Sequence, residues 1–537
     1  MNSRFENILE QIEGMYSDKV LLPEKELSDF LASHKNIYVY GAGNYASGLI
    51  HYFEQIGVCI KGIIAENCKI PELSQYGLFS VPDGWKILSR HQNSSLIVAI
   101  KPVSQDELIN NNSEIFRRLE GRVLFLNQAD LSYFLFRDRN VDTLASYVEE
   151  AIRKNPPSLQ LNFDTWKSIL VLDLEYCLGD TIWGTPVLRN LRKNFPHANI
   201  TYVINQKFSS LFSQCPYADN IIEYGLSDGP RSFSSNLLSE VRAFCQTRLS
   251  KQYDTCILLR ATPYSGEDVL ENVLISLEVD TSVRIAHSLY VTENERAFSK
   301  MWEGAFSRWT FNSTAEHEVS RNLSSLRACG LKVDEGEMEL WPSDDDLKCE
   351  EKALNYDDGK LYISVGIAGR EERRSWPFEK YLSVFQYAYE RYGETVIFVL
   401  LGGEKDITRI ENYDLPDNVI NLVGKTSLNQ SVALMQLCHI YLGSDTGTMH
   451  MAAAMKEYII ELTANLKDGL PTDQGAPERT GPWMVPNAVI RPRKSLDGCK
   501  RVCLKPYCHC IREIAEEDVE AELSKAIDFV SVEKGSQ

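Results

Sequence analysis

The stretch richest in chemistry is Gly443-Ser-Asp-Thr-Gly-Thr-Met-His-Met-Ala-Ala-Ala454. An apolar run of strand length, His439–Leu442, leads into a turn of small residues, and an alanine-rich helix follows. Such a junction points free backbone N–H groups and the positive end of a helix at the sheet edge, where an anion binds well. Thr446 and Gly447 have little bulk, so a phosphate could approach closely. The local alternative is that Asp445 or Thr446 only caps the helix. A second stretch, Leu178-Gly-Asp-Thr-Ile-Trp-Gly-Thr-Pro-Val-Leu188, holds Asp180 in a glycine-flanked loop between a strand and a helix. A carboxylate there can act as general base on a hydroxyl, or can serve as a plain N-cap. A third, Arg370-Glu-Glu-Arg-Arg-Ser-Trp-Pro377, puts three arginines after the strand Leu361–Val365. Guanidinium groups clamp diphosphates because their donors are planar and always charged. Glu371 and Glu372 could instead neutralise them.

These segments need a scaffold that brings strand ends together. Strand, glycine turn and helix recur along the chain, which implies parallel, doubly wound α/β sheets. The first unit, residues 1–155, opens with strand Asn36–Tyr40, helix Asn44–Gln55 and strand Cys59–Ala65; strands Ser95–Ile100 and Arg122–Leu126 follow. Asn155-Pro-Pro-Ser158 marks its end. The second unit, 166–345, has strands Ser168–Leu172, Asn199–Ile204, Thr255–Leu259 and Val283–Ala286. The third, 346–498, carries Leu361–Val365, Thr395–Leu401 and His439–Leu442, with the acidic stretch Ser343–Asp358 as the linker before it. A cysteine-rich segment and C-terminal helix occupy 499–537. Open α/β sheets bind ligands at the C-terminal ends of their strands, so the second and third units would form a cleft lined by the three segments above.

Two further motifs stand outside that cleft. Gly41-Ala-Gly-Asn-Tyr-Ala-Ser-Gly48 is close to a dinucleotide fingerprint, with its third glycine two residues late. Glu66 follows Gly43 by 23 residues, near the ribose-binding position. Gly41, Gly43, Gly48 and Glu66 could bind a nucleotide, or the unit could be structural or oligomerising. Cys499, Cys503, Cys508 and Cys510 place four thiols within twelve residues, which suggests a tetrahedral thiolate site for zinc or iron. His509 could replace one thiol. The alternative is a loop of reduced cysteines, with Arg491, Arg493, Lys494, Lys500, Arg501 and Lys505 contacting an anionic acceptor or lipid headgroups at the inner membrane.

Composition narrows the class. With a formal net charge of −19 over 537 residues, nothing global points to nucleic acid, whose binders carry basic surfaces. No run approaches the roughly 18 apolar residues of a membrane span. The N-terminus is polar and acidic where a signal peptide would be apolar. The expectation is a cytoplasmic protein with reduced cysteines.

The ordered set of segments resembles glycosyltransferase family 9, the heptosyltransferases of bacterial surface glycoconjugates. The matching stretches are Gly179–Pro186, Leu188–Pro196, His317–Leu331, Trp376-Pro377, Val399–Asp406, Asn421–Leu428 and Asp445–His450. The resemblance covers about residues 166–530. It implies a GT-B fold of two Rossmann-like lobes, preceded here by a separate Rossmann-like domain. It implies inverting transfer, with ADP-heptose as donor in lipopolysaccharide biosynthesis. Asp180 would be the base, and Arg374 would neutralise the diphosphate. Thr446 and Gly447 would hold phosphate oxygens, Asp445 the donor sugar, Glu404 the ribose, and His450 would line the pocket. Met435 and Leu437 read as helix core. No cofactor is needed for transfer, and a structural iron occurs at a similar cysteine cluster in the subgroup that glycosylates autotransporter proteins. Met455–Glu461 departs from the apolar strand the family has after the Asp-Thr-Gly helix. The acceptor could be a surface glycan, a lipid-linked glycan or a protein hydroxyl, and the enzyme could be an oligomer.

Two rival readings differ in class. An NAD-dependent sugar-modifying oxidoreductase would centre on Gly41–Gly48, but no Tyr-x-x-x-Lys pair follows that motif within the first unit. A non-catalytic glycan-binding scaffold would have no use for Asp180 together with the 445–450 loop.

Overall fold

The computed structural model describes residues 23–535 except 56, 67–70, 92, 101–104, 106–107, 110, 127–140, 227–232, 251, 260–269, 290–303, 313–315, 368, 370–371, 472–474, 497–498, 500–502 and 504–506. The first sheet contains β1 (Ile37–Tyr40), β2 (Gly62–Ile64), β3 (Leu78–Phe79), β4 (Ser95–Val98) and β5 (Val123–Phe125), in the order β3-β2-β1-β4-β5. The second has β6 (Ser168–Asp173), β7 (Asn199–Asn205), β8 (Asn220–Tyr224), β9 (Thr255–Leu258), β10 (Arg284–Leu289) and β11 (Arg308–Asn312), in the order β11-β10-β9-β6-β7-β8. The third has β12 (Leu361–Gly366), β13 (Val396–Leu401), β14 (Val419–Asn421), β15 (Ile440–Ser444), β16 (Tyr458–Leu462) and β17 (Asn487–Ile490), in the order β14-β13-β12-β15-β16-β17.

All described pairings are parallel. Parallel strands are covered on both faces, which explains their unbroken apolar runs. Ile169–Leu172 and Val396–Leu401 are buried along their whole length. In each sheet the strand order reverses once, between β1 and β4, β6 and β9, and β12 and β15. Loops diverge at those points and leave a crevice at the strand C-termini.

The helices that matter for the site are α1 (Asn44–Gln55), α2 (Leu178–Ile182), α3 (Thr185–Asn194), α4 (Glu318–Ala328), α5 (Asp344–Leu354), α6 (Phe378–Tyr392), α7 (Leu428–Leu437), α8 (Gly447–Ala454) and α9 (Glu516–Gly535). One apolar cluster joins Ile169, Val187 and Leu191 of the second unit to Val399, Met435 and Met451 of the third, so the two lobes share packing. The clusters of the first sheet are separate.

Several sequence expectations shift. Asp180 lies in the helical turn α2, not in a loop. Helix Val141–Lys154 precedes the Asn155-Pro-Pro break, yet Leu144, Tyr147 and Val148 pack with Leu170, Leu172 and Val273, in the core of the second unit. The acidic linker is α5: the Ser343 hydroxyl caps it at the Asp346 amide (3.1 Å), and Asp344, Asp345 and Asp346 fill the first turn, where a helix favours negative charge. Tyr458–Leu462 is a strand despite its acidic residues, because Glu457 and Glu461 are both buried there. The C-terminal segment is no separate layer: Ile511, Ile514, Val519, Leu523 and Ile527 complete the core of the third sheet. No helix among the described residues is long and apolar enough to cross a membrane.

Candidate active site

The loops after β12 and β15 leave the third sheet on either side of its reversal point, so residues 374 and 445 meet although 71 positions apart. Arg374 Nη1 donates to Asp445 Oδ2 at 3.1 Å. Ser444 Oγ donates to the Arg374 carbonyl at 2.5 Å and fixes one loop to the other. Thr480 Oγ1 also donates to Asp445 Oδ2, at 3.4 Å. Asp445 is buried, whereas the Arg374 side chain keeps 31% of its surface exposed and can meet a ligand. Glu372 does not quench it, because that carboxylate pairs with Arg409 at 3.1 Å. Arg370 and Glu371 lie outside the described residues. Gly475 lies against the pair, and its positive φ (+83°) favours glycine; a Cβ there would lie a tight 3.3 Å from Arg374 Nη2.

α8 begins directly after this pair. Thr446 occupies its N-cap position with extended backbone (φ −152°, ψ 172°), and the Thr446 side chain makes no capping hydrogen bond. Thr446 therefore does not act as a side-chain cap, and its hydroxyl instead shares a hydrogen bond with Thr448 at 2.5 Å. The start of a helix presents backbone amides that suit an anion.

The second lobe face of the cleft is α2. Gly179 meets His450 of α8 so closely that an added Cβ would lie 2.5 Å from His450 Cδ2. Gly447 would bring one to 3.0 Å from Leu178 Cβ. Half-buried Asp180 is thereby held at the mouth of the Asp445–His450 loop. Trp183 Nε1 donates to His450 Nδ1 at 3.3 Å, which leaves the imidazole proton on Nε2, 3.7 Å from Asp445 Oδ1. Burial, together with His317 and Arg374 nearby, pushes the His450 pKa down to about 3. His450 is therefore neutral, and its contact with Asp445 is not an ion pair.

Further cross-lobe contacts brace this arrangement. His317 accepts from the Val319 amide at Nδ1 (3.2 Å), so Nε2 carries the proton and donates to the Gly481 carbonyl (3.0 Å). Its ring lies 4.5 Å from that of Trp483 and 6.2 Å from that of Trp183. Buried Glu318 accepts from Arg479 Nη2 at 2.8 Å across the lobes, and from Arg321 at 3.2 Å within α4. Sequence reading did not single out Trp183, Glu318, Arg479 or Thr480. Their partners lie 35 to 267 positions away, and no local pattern announces such pairs.

The remaining sequence candidates fall elsewhere. Glu404 is exposed and opens a short turn after β13, on the same sheet edge as Arg374 but outside the Arg374–Asp445 pocket. Met435 and Leu437 are buried in α7. In the first sheet Gly41 (φ +115°) donates its N–H to the Ile64 carbonyl at 3.0 Å; Gly43 precedes α1, Gly48 is buried within it, and Glu66 is exposed just past β2. Glu66 helps burial push the Tyr40 pKa up to about 12.

At the cysteine cluster, ligand atoms of Cys499, Cys503, His509 and Cys510 all lie within 4.8 Å of one another. His509 Nδ1 is 3.6 Å from Cys499 Sγ and 3.4 Å from Cys510 Sγ. A tetrahedral site with metal–sulfur bonds of about 2.3 Å has edges of roughly 3.8 Å, so this set fits a metal ion. Cys508 is not among them: half-buried, it packs against the core of the third sheet, and His509 takes the place expected for it. Arg373 Nη1 donates to the Cys503 carbonyl at 3.2 Å, which ties this cluster to the arginine loop. Lys500, Arg501 and Lys505 lie outside the described residues.

Two Rossmann-like lobes with a glycine-containing loop between them make a GT-B type fold. Comparison with known proteins finds relatives of this type. Residues 283–491 match the family model described as glycosyltransferase family 9 (heptosyltransferase). Lipopolysaccharide heptosyltransferase 3 of Escherichia coli is 23% identical over 293 residues, covering 53% of this chain and 80% of that protein. Lipopolysaccharide heptosyltransferase 2 of Salmonella typhimurium is 24% identical over 295 residues, covering 53% and 79%. Among solved structures, the glycosyl transferase family 9 protein of Veillonella parvula aligns with a TM-score of 0.54 at 21% identity, over 70% of this chain and 99% of that one. The ADP-heptose heptosyltransferase II of E. coli aligns with a TM-score of 0.50 at 18% identity, over 68% and 99%. The chain is a glycosyltransferase that resembles the family 9 heptosyltransferases over the region these matches cover.

Proposed function

We propose that this enzyme transfers heptose from ADP-heptose to a hydroxyl of a surface glycan, a lipid-linked glycan or a protein, with inversion. The observation that carries the reading is Arg374 bonded to Asp445 just before α8, with the helical turn that carries Asp180 packed against His450 of α8. Donor diphosphate would bind between the Arg374 guanidinium and the first amides of α8, displacing Asp445 from Arg374. Asp445 would then accept from the sugar. Glu404 stands past β13, two strand spacings or about 10 Å along the edge from β15, where the ribose would extend. The acceptor hydroxyl would give its proton to Asp180 as its oxygen attacks the anomeric carbon. The bond from that carbon to the phosphate oxygen breaks, and the leaving ADP takes its electron pair, stabilised by Arg374 and the helix amides. Neutral His450 would hold the pocket wall without adding charge. The relatives named for lipopolysaccharide heptosyltransfer support this choice of donor.

Cys499, Cys503, His509 and Cys510 would hold a structural zinc or iron that braces the Arg373–Arg374 loop. Transfer itself requires no cofactor in this scheme. The first sheet would be a separate unit ending before residue 141, with Gly41, Gly43, Gly48 and Glu66 as its nucleotide-type edge. Cytoplasmic location, with contact to a membrane surface through the basic 491–505 stretch, is part of the same reading.

The test is consumption of a panel of nucleotide sugars by purified protein, alongside Asp180→Ala. ADP-heptose turnover that falls by about 10²–10⁴ in the variant is expected for loss of a general base. Turnover of another nucleotide sugar in place of ADP-heptose would overturn the donor, and equal turnover by the variant would overturn the base.

A further inference from the structure

A shallow, solvent-open groove adjoins the Arg374–Asp445 pair, and Thr463, Asn465 and Gly475 also line it. Asn465 is only 8% exposed, and its Oδ1 is buried without a hydrogen-bond partner. Buried polar atoms in native folds are met by a partner, an ordered water or a ligand, because desolvating them is otherwise uncompensated. The residue is firmly placed. Its backbone N–H donates to Thr463 Oγ1 at 3.2 Å, and the Thr463 N–H donates to the Ile490 carbonyl at 3.1 Å, extending the β16–β17 ladder. The open acceptor therefore does not come from a loose loop. The groove is lined by the Asp445 carboxylate, the Thr463 hydroxyl, the Asn465 amide and the Arg373 and Arg374 guanidinium groups, together with Leu462, Ala464 and Cys503. The polar part of that lining suits a hydroxylated ring attached to a phosphate.

We infer that Asn465 is a specificity-determining residue that accepts a hydrogen bond from a ring hydroxyl of the donor's glycosyl group in this groove. The inference rests on the donor site proposed above and names a residue on β16's outgoing loop that reads the sugar instead of the phosphates. A neutral hydrogen bond of this kind is worth about a fivefold to tenfold change in affinity.

The experiment is calorimetric binding of ADP-heptose and of ADP to the full chain, to Asn465→Ala and to Asn465→Leu, with melting temperatures recorded. Leucine keeps nearly the same volume, so packing loss is separated from loss of the acceptor. Both variants should bind ADP-heptose about fivefold to tenfold more weakly and bind ADP as the native chain does. In turnover, KM should rise with kcat nearly unchanged, as for an interaction made equally in the ground and transition states. An equal loss for ADP, or no loss for ADP-heptose, overturns the inference; the latter result means water satisfies Asn465. Should the native chain bind ADP without gaining affinity from the sugar, the sugar site falls and the phosphate site stands. Binding of neither ligand removes the donor site, and this inference with it.

Discussion

Gly179→Ala tests whether the two lobes meet as described. The added methyl carbon would lie 2.5 Å from His450 Cδ2 and 3.1 Å from Nε2. Carbon atoms rest at about 3.5–4.0 Å, so something must open by at least about 1 Å. His450 cannot swing aside cheaply: it is 3% exposed, bonded to Trp183 at 3.3 Å and backed by Asp445 at 3.7 Å. Displacement therefore falls on α2, which carries Asp180. Overpacking of this kind costs about 1–3 kcal/mol, and a 1 Å misplacement of a catalytic group costs on the order of 10²-fold in rate. Gly447→Ala, with its nearest contact at 3.0 Å, should lose distinctly less. Gly43→Ala has nothing within 4 Å and serves as the control. The assay is kcat/KM for donor and acceptor, with circular dichroism to confirm folding. Full activity in Gly179→Ala would refute the close approach of α2 to α8 in the working enzyme.

Glu318→Leu leaves Arg321 and Arg479 buried without their carboxylate and should destabilise by about 3–5 kcal/mol in denaturant titration. Arg479→Met should cost less, because Arg321 still pairs with Glu318 at 3.2 Å. Removing metal with a strong chelator, or making Cys503→Ser, should lower the melting temperature and raise donor KM through the Arg373–Cys503 link, with elemental analysis giving one bound ion beforehand. Burial lowers the His450 pKa to about 3 from 6.5, so the unfolded chain takes up this proton first, and stability from this site should fall as pH drops below about 6.5 toward 3. His450→Gln should flatten that part of a melting-temperature profile. Burial raises the Glu457 pKa from 4.5 to about 8; its contribution is complete below 4.5 and is lost as pH rises through 8. Glu457→Gln, which keeps the acceptor for Ser364, should therefore gain stability at pH 8 and none at pH 4.

The sequence made local junctions legible, and the distant ones stayed hidden. Helix Asn44–Gln55 and the small-residue turn before α8 follow from apolar runs and punctuation within a few residues. The meeting of residue 374 with 445 was reachable, because parallel topology places those loops side by side. α2 was missed because five residues are too few to display a helical period. β16 was misread because two carboxylates interrupt an apolar run, and nothing in the run says that they are buried. The Asn155-Pro-Pro break read as a unit boundary, although the helix before it already packs on the second sheet. Cys508 and His509 are neighbours in sequence, and only the turn of the backbone decides which one faces the other thiols. Asn465 shows no motif at all; it became visible through burial and a missing partner.

The most direct measurement is a crystal structure with ADP bound. The account predicts the diphosphate within hydrogen-bonding distance of Arg374 and the first amides of α8, with the Arg374–Asp445 contact opened. ADP lodged instead on the Gly41–Gly43 edge of the first sheet, with the α8 end empty, would contradict it.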